Sequence, residues 1–310
     1  MNLDYIASPI PKELIKKELT KERFVRITNK TDNEIYIINH HNSPNVMQEI
    51  GRLRELTFAM SGGGTGNEVD IDELDTSEDG YDQLIVWSPD YEEIIGGYRF
   101  INCSEIKGDI SKIDVSTKHY FNFSDEFISG YLPYTIELGR SWVQPEFQPS
   151  AANRKGLFTL DNLWDGLGAL IVLNPNVKYL FGKVTMYKSY DKQARDILLT
   201  FMDYFFPDSD NLVTPIISVG MTNDITTFLE EIKELDYKAA HKLLGLYLKD
   251  RNERIPPLIN SYMNLSATMK TFGTADNPDF GDVEETGILV TIKDMHEEKT
   301  KRHIDTFKQV

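Results

Sequence analysis

The stretch YTIELGRSWV, residues 134–143, sets a glutamate and an arginine inside an otherwise apolar run. Its β-branched and aromatic residues read as a strand. Strand periodicity puts Glu137, Gly139 and Ser141 on one face and Leu138, Arg140 and Trp142 on the other. Either charge is costly to bury unpaired. Glycine inside a strand often marks a bulge, and a one-residue bulge at Gly139 would re-aim Glu137 and Arg140, which otherwise point apart. Two readings fit the pair. One is a structural ion pair within a sheet; the other is a carboxylate that accepts a proton from, or orients, a substrate amine.

Working outward, LFTLDNLWDGLGALIVLN (157–174) reads as a buried helix and KYLFGKVTMY (178–187) as a strand. DKQARDILLTFMDYFF (191–206) reads as an amphipathic helix stopped by Pro207. Upstream lie a short helix near 11–19 and strands at 24–28 and 34–39 joined by the turn NKTDN. A helix over 43–60 has Ser43 as its cap and Pro44 in its first turn. DQLIVWS and EIIGGYRFIN form a hairpin over 82–102. This order predicts an α/β (α+β) fold, a mixed sheet with helices on its faces. Beyond about 208 come helical stretches at 236–252 and 256–266, a late strand at 287–294 and a charged tail. HEEKTKRH (296–303) in that tail reads as a solvated helix face. No Gly/Ser/Pro linker intervenes. The expected organisation is an extension (1–42), a core (43–207) and an elaboration of the same domain (208–310).

The 310 residues are 40% apolar and 11% aromatic, a globular composition. With 33 Lys plus Arg against 49 Asp plus Glu, the net charge is −16, which disfavours nucleic acid. The single cysteine, Cys103, reads as a small buried residue and excludes an internal disulfide framework. The N-terminus lacks the apolar core of a signal peptide, and no apolar run is long enough to span a bilayer. A cytoplasmic protein is expected, with a peripheral contact at the inner face of a membrane left open.

SGGGTGNEVDID (61–72) follows the 43–60 helix. The spacing of Gly62, Gly64 and Asn67 breaks the dinucleotide fingerprint, and no lysine completes a Walker loop. Phosphate binds at helix starts, whereas this stretch ends a helix and runs into an excess of acids. DIDELD also lacks the spacing of an EF-hand. A solvated connector and a substrate-closing lid both remain. Elsewhere there is no G-x-S-x-G elbow, no HExxH and no Cys/His metal spacing, so no metal site is expected.

Arg54-x-x-x-Phe58, Asp75 and Asp82 beside YDQLIVW, GGYRF (96–100) and ELGRSWV (137–143) occur in an order that resembles a branch of the GNAT acyltransferase superfamily. That branch holds the acyl-homoserine-lactone synthases and, nearer to this chain, the hemolysin-like N-acyltransferases of ornithine-lipid type. The chain is similar also to the glycine-lipid N-acyltransferases. LWDGLGALI, YLFGKVTM and PPLINSYMNLSATM extend the resemblance over about 45–292. It implies a GNAT-like twisted sheet, splayed between its fourth and fifth strands (134–143 and 178–187). It further implies transfer of a (3-hydroxy)fatty acyl group from acyl carrier protein to the α-amine of ornithine or glycine. Glu137 and Arg140 would be catalytic, while Arg54, Phe58, Asp75, Asp82 and Arg99 would bind substrate. Ser141, Trp142 and Val143, with Arg154, Lys155 and Gly156, would hold the pantetheine arm. The usual pyrophosphate loop is reduced to those last three residues, which favours a carrier protein over CoA; no resident cofactor is implied. Lys183, Lys188, Lys192 and Arg195, with Arg154 and Lys155, would form the docking patch for that acidic partner. A CoA-dependent acetyltransferase of small amines and a non-catalytic protein of the same fold are the rival readings.

Overall fold

The structure, a computed structural model, describes residues 3–106, 108–148 and 155–308. The chain divides into two units, one of residues 1–116, 134–178 and 297–310, the other of residues 117–133 and 179–296. The strands expected at 134–143 and 178–187 fall one in each.

In the first unit, β1 (Phe24–Ile27), β2 (Glu34–Ile38), β3 (Asp82–Ser88) and β4 (Glu93–Asn102) pair in sequence order, each ladder antiparallel. The second unit takes β5 (Phe121–Phe123); β6 (Thr135–Val143) returns to the first and pairs antiparallel with β4. Its helices include α1 (Lys12–Glu18), α2 (Pro44–Met60), α3 (Glu73–Thr76) and α4 (Thr159–Leu173). Residues 83–88 of β3 are all buried, which requires cover on both faces of the sheet. Leu84 turns toward α4, where a Cβ on Gly166 would lie 2.6 Å from its Cδ2. Gln83 turns to the other face and donates to Asp75 of α3 (3.0 Å).

Two local expectations change. Ser43 does not cap α2, since its hydroxyl donates to Asn42. Glu18, at the end of α1, instead accepts from the amides of Asn45 (3.2 Å) and Val46 (2.9 Å). A carboxylate neutralises the positive end of the helix better than a hydroxyl does. The 296–303 segment keeps a solvated face, with His296, Glu297, Glu298, Lys301 and Arg302 exposed, but turns one residue inward. His303 is buried and bonds Asp165 of α4 (2.8 Å), and its carbonyl lies where a Cβ on Gly168 would otherwise sit.

In the second unit, β7 (Tyr179–Met186) pairs with β10 (Val283–Thr291), and β10 with β9 (Lys270–Asn277). β5 pairs with the short β8 (Val213–Pro215). Helices α5 (Lys192–Phe205), α6 (Thr226–Lys233), α7 (Tyr237–Lys249) and α8 (Pro257–Met263) complete it. Phe123, Phe127, Phe181 and Phe272 interlock edge to face, with ring centroids 4.9 to 6.1 Å apart. β10 begins four residues earlier than expected. Its first residues, VEET, read as polar, but Glu285 is buried there because it accepts from Lys183 (2.8 Å) and Thr185 (2.9 Å) across the ladder.

Candidate active site

The bulge expected at Gly139 is present and decides where Arg140 goes. Arg99 stands opposite Gly139 and Gly97 opposite Trp142, so β6 carries one residue more than β4 over that interval. The extra residue is accommodated with Arg140 at φ +44°, in the left-handed region that a side chain enters only under constraint. Gly139 has its own packing reason, since a Cβ there would press on Arg99 Nε at 3.3 Å.

Three arginines then converge on three aspartates. Arg54 of α2, with no exposed side-chain surface, contacts Asp70 Oδ2 through Nε (3.1 Å) and Asp75 Oδ1 through Nη1 (3.2 Å). Arg99 donates Nη1 to Asp72 (2.7 and 2.8 Å) and lies 3.4 Å from Asp75. Arg140 meets Asp70 Oδ2 at 2.8 Å and reaches toward Asp72 at 3.9 Å. Asp72 and Asp75 are held by α3 itself. Each carboxylate accepts the other's backbone amide in a capping box.

The electrostatics follow from this alternation. Burial opposes charge on Asp70 and Asp75, but the neighbouring guanidinium groups outweigh it. Arg140 and Arg54 hold Asp70, and Arg54 and Arg99 hold Asp75, below the usual carboxylate range. Burial likewise opposes charge on Arg99, and Asp75 and Asp72 more than restore it. Among the described residues, Arg54 Nη2, Asp70 Oδ1 and Arg99 Nε are buried without a hydrogen-bond partner.

Glu137 is fully buried on β6 and accepts the hydroxyl proton of Tyr81. Tyr81 Oη in turn accepts from the Ser116 amide (2.9 Å), and the Arg99 guanidinium lies 4.9 Å from the Tyr81 ring centroid. Burial, and then the charge of Glu137, raise the Tyr81 phenol well above its ordinary value, so it stays a donor. Tyr81 forms part of the wall of a cleft of ≈ 1010 Å³ at the ends of β2, β3 and β4. Its lining is mixed: Ile37, Leu74, Phe100, Ile113 and Leu170 are apolar, while Glu73, Glu78, Asp79, Asp82, Glu105 and Asp114 make it acidic.

The structure brings together Arg54, Asp75, Arg99, Glu137 and Arg140. Phe58 is buried one turn beyond Arg54 on α2. Asp82 does not join the charge cluster. It accepts from Asn39 (3.1 Å), lines the cleft, and is raised by its burial. Asp70 and Asp72 were not singled out from the sequence. Buried arginines call for acids beside them, but the 67–82 run holds eight and its sequence does not mark which of them turn inward. Trp142 is buried over Gly97, while Ser141 and Val143 are partly exposed. Arg154 lies outside the described residues. Gly156 is needed for packing, because a Cβ there would overlap the Phe147 carbonyl at 1.7 Å. The Lys155 amine rests 4.8 Å from the Tyr91 ring centroid.

The basic patch anticipated at 183–195 is largely absent. Lys183 is paired with Glu285, and Arg195 is buried against Asp196 and Glu284. Only Lys188, paired with Asp282, and Lys192 are exposed. Burial of a cation requires an acid beside it, so the local charge excess counted along the sequence is cancelled in three dimensions.

The glycine stretch is fastened to α2. Glu55, fully buried, accepts from the Thr65 amide and hydroxyl (both 2.8 Å), the Gly66 amide (2.9 Å) and the Tyr5 hydroxyl (2.7 Å). Gly62, Gly64 and Gly66 all have positive φ, so the backbone curls around that carboxylate.

Residues 53–155 match the acetyltransferase (GNAT) domain family. The glycine N(alpha)-acyltransferase of Bacteroides thetaiotaomicron is 52% identical over 311 residues, covering 98% of this chain and 91% of that protein. The glycine N(alpha)-acyltransferase of Phocaeicola vulgatus is 51% identical over 307 residues, covering 98% and 94%. Among solved structures, the CoA-dependent acyl-homoserine lactone synthase BjaI, with SAM and isopentyl-CoA, aligns over 88% of each chain with a TM-score of 0.41 and 12% identity. With half of its residues shared over nearly its whole length, the chain belongs to the family of these glycine N(alpha)-acyltransferases and is a GNAT-type acyltransferase that acylates an amino group.

Proposed function

We propose that the protein transfers a fatty acyl group, 3-hydroxylated or plain, from acyl carrier protein to the α-amine of glycine. The observation that carries this reading is the buried Glu137–Tyr81 pair, whose tyrosine forms part of the wall of a cleft and lies against the Arg99 guanidinium. The names of the relatives favour glycine over ornithine. The amine attacks the thioester carbonyl, the C–S bond breaks, and the thiolate leaves and takes up a proton. The proton lost from the amine passes to Glu137, which Tyr81 orients. Arg140, at 13% exposure the most accessible of the three arginines, grips the glycine carboxylate bidentately. Arg54 and Arg99 hold Asp70, Asp72 and Asp75 in place around it. The thioester donor is a co-substrate, and the chemistry draws on no resident cofactor. A carrier protein is preferred over CoA because the usual pyrophosphate loop is reduced in this sequence to Arg154, Lys155 and Gly156.

Purified protein supplied with palmitoyl carrier protein or palmitoyl-CoA, and with glycine or ornithine, tests this by mass spectrometry. N-palmitoylglycine with release of the carrier thiol is expected. Acylation of ornithine alone would overturn the acceptor, and faster transfer from CoA would overturn the donor. Glu137→Gln is expected to lower turnover by about 10²-fold with the fold intact. An unchanged rate would remove Glu137 from the chemistry.

A further inference from the structure

From Asn211 to Asn223, in NLVTPIISVGMTN, thirteen residues carry no charge, between Asp210 and Asp224. In the second unit this segment runs from β8 to the residues before α6. It displays bulky apolar side chains to solvent: Ile216 is 50% exposed, Ile217 63% and Met221 44%. A solvated turn would be built from small and polar residues, whereas exposed aliphatic residues side by side mark a contact surface.

The backbone beneath them is fastened to its own unit. Ile216 donates to the Tyr120 carbonyl (2.9 Å), the Ile217 carbonyl accepts from Asp276 (3.1 Å), and Val219 donates to the Thr274 carbonyl (2.9 Å). The Gly220 carbonyl accepts from Arg195 (2.9 Å). Buried Asp196 accepts from the amides of Thr222 (2.9 Å) and Asn223 (2.8 Å). The turn is thus held rigidly, and these polar groups need no water. A segment that enters hydrocarbon must satisfy this condition, and a segment that is merely solvated need not. It also explains the burial of Arg195 and Asp196, two charged residues of α5 for which the chemistry has no use.

We propose that the 215–221 turn is a membrane-contacting element that inserts Ile216, Ile217 and Met221 into an electrically neutral lipid surface. No helix among the described residues is long and apolar enough to cross a membrane, so the contact is peripheral. The charge of −16 opposes anionic lipid, and a turn without charged side chains attracts neutral lipid by apolar burial alone. The choice of lipid rather than a protein partner rests on the proposed reaction, whose product is a single-chain amphiphile that belongs in a bilayer.

The test uses the full chain and vesicles of phosphatidylcholine. Cys103 is buried, and burial raises its thiol, so an Ile217→Cys variant takes a nitrobenzoxadiazole label at the turn. A Lys17→Cys variant, labelled at an exposed site of the first unit, is the control. Vesicles are expected to shift the emission to the blue at 217 and not at 17. The Ile216→Ser/Ile217→Ser variant is expected to lower the vesicle-bound fraction at least about tenfold, with Met221→Ser as a milder second variant. An unshifted label at saturating vesicles would overturn the proposal, as would a double variant that sediments like the parent. A blue shift that grows with protein concentration without lipid would assign the turn to a second copy instead. Acyl transfer assayed on the same samples with a soluble short-chain thioester reports on the acyltransferase reading separately, because vesicle binding does not depend on turnover.

Discussion

Arg54, Arg99 and Arg140 are tolerable in a core only because Asp70, Asp72 and Asp75 interleave with them. Removing one member leaves an uncompensated buried charge. Arg54→Met is therefore expected to lose about 3–5 kcal/mol of stability, read from urea unfolding. A midpoint within 0.3 M of the parent's, a threshold of order 1 kcal/mol or less, would show that the cluster tolerates the gap. The same groups set an acid limit. Asp70 and Asp75 titrate below their unfolded value of about 3.9, so their contribution is complete above that pH and is lost as pH falls toward their folded values. Thermal unfolding should thus be insensitive to these groups near neutrality and fall steeply below about pH 4. Glu137 and Arg140 were legible in the sequence because a charge inside an apolar strand stands out. Asp70 and Asp72 were not, since acids in a glycine-rich connector look solvated until the arginines that need them are placed beside them. Asp82 shows the reverse: it sits next to the cluster in sequence but looks into the cleft in space.

At the scale of elements, the 61–80 connector changes most between sequence and structure. It reads as mobile from composition, yet Glu55 of α2 holds its first turns. Gly64→Ala is expected to destabilise by about 1–3 kcal/mol. The residue has φ +96°, and the new Cβ would meet Glu55 Oε1 at 2.8 Å. Gly62→Ala carries the backbone strain at φ +93° with open space around it, so it should cost about 1–2 kcal/mol and less than its neighbour. Equal losses at both sites in chemical denaturation would mean that the Glu55 contact contributes nothing. The long helices and strands were legible because each has one apolar face or a continuous apolar run. α6, β9 and the β5–β8 pair were not, being short or rich in polar residues whose strand conformation is imposed by their partners.

Across the whole molecule, charge counted along the chain and charge presented to a partner differ. Lys183 and Arg195 are internal, so a carrier protein that docks on this region meets Lys188 and Lys192. Lys188→Glu/Lys192→Glu is expected to raise the KM for acylated carrier protein several-fold and leave short-chain thioester kinetics unchanged, with the difference shrinking in high salt. Equal KM values would move docking elsewhere. The sequence by itself determined the class of fold, the strand that carries Glu137 and Arg140, and the family, because periodicity, motif order and shared residues are properties of the chain. Only the tertiary structure decided which acids face which arginines, which lysines are spent in the core, and that the glycine stretch is tied down. Ion pairing and burial join residues tens to hundreds of positions apart, as Arg99 with Asp72 and Lys183 with Glu285 show, and separation along the chain carries no information about such distances.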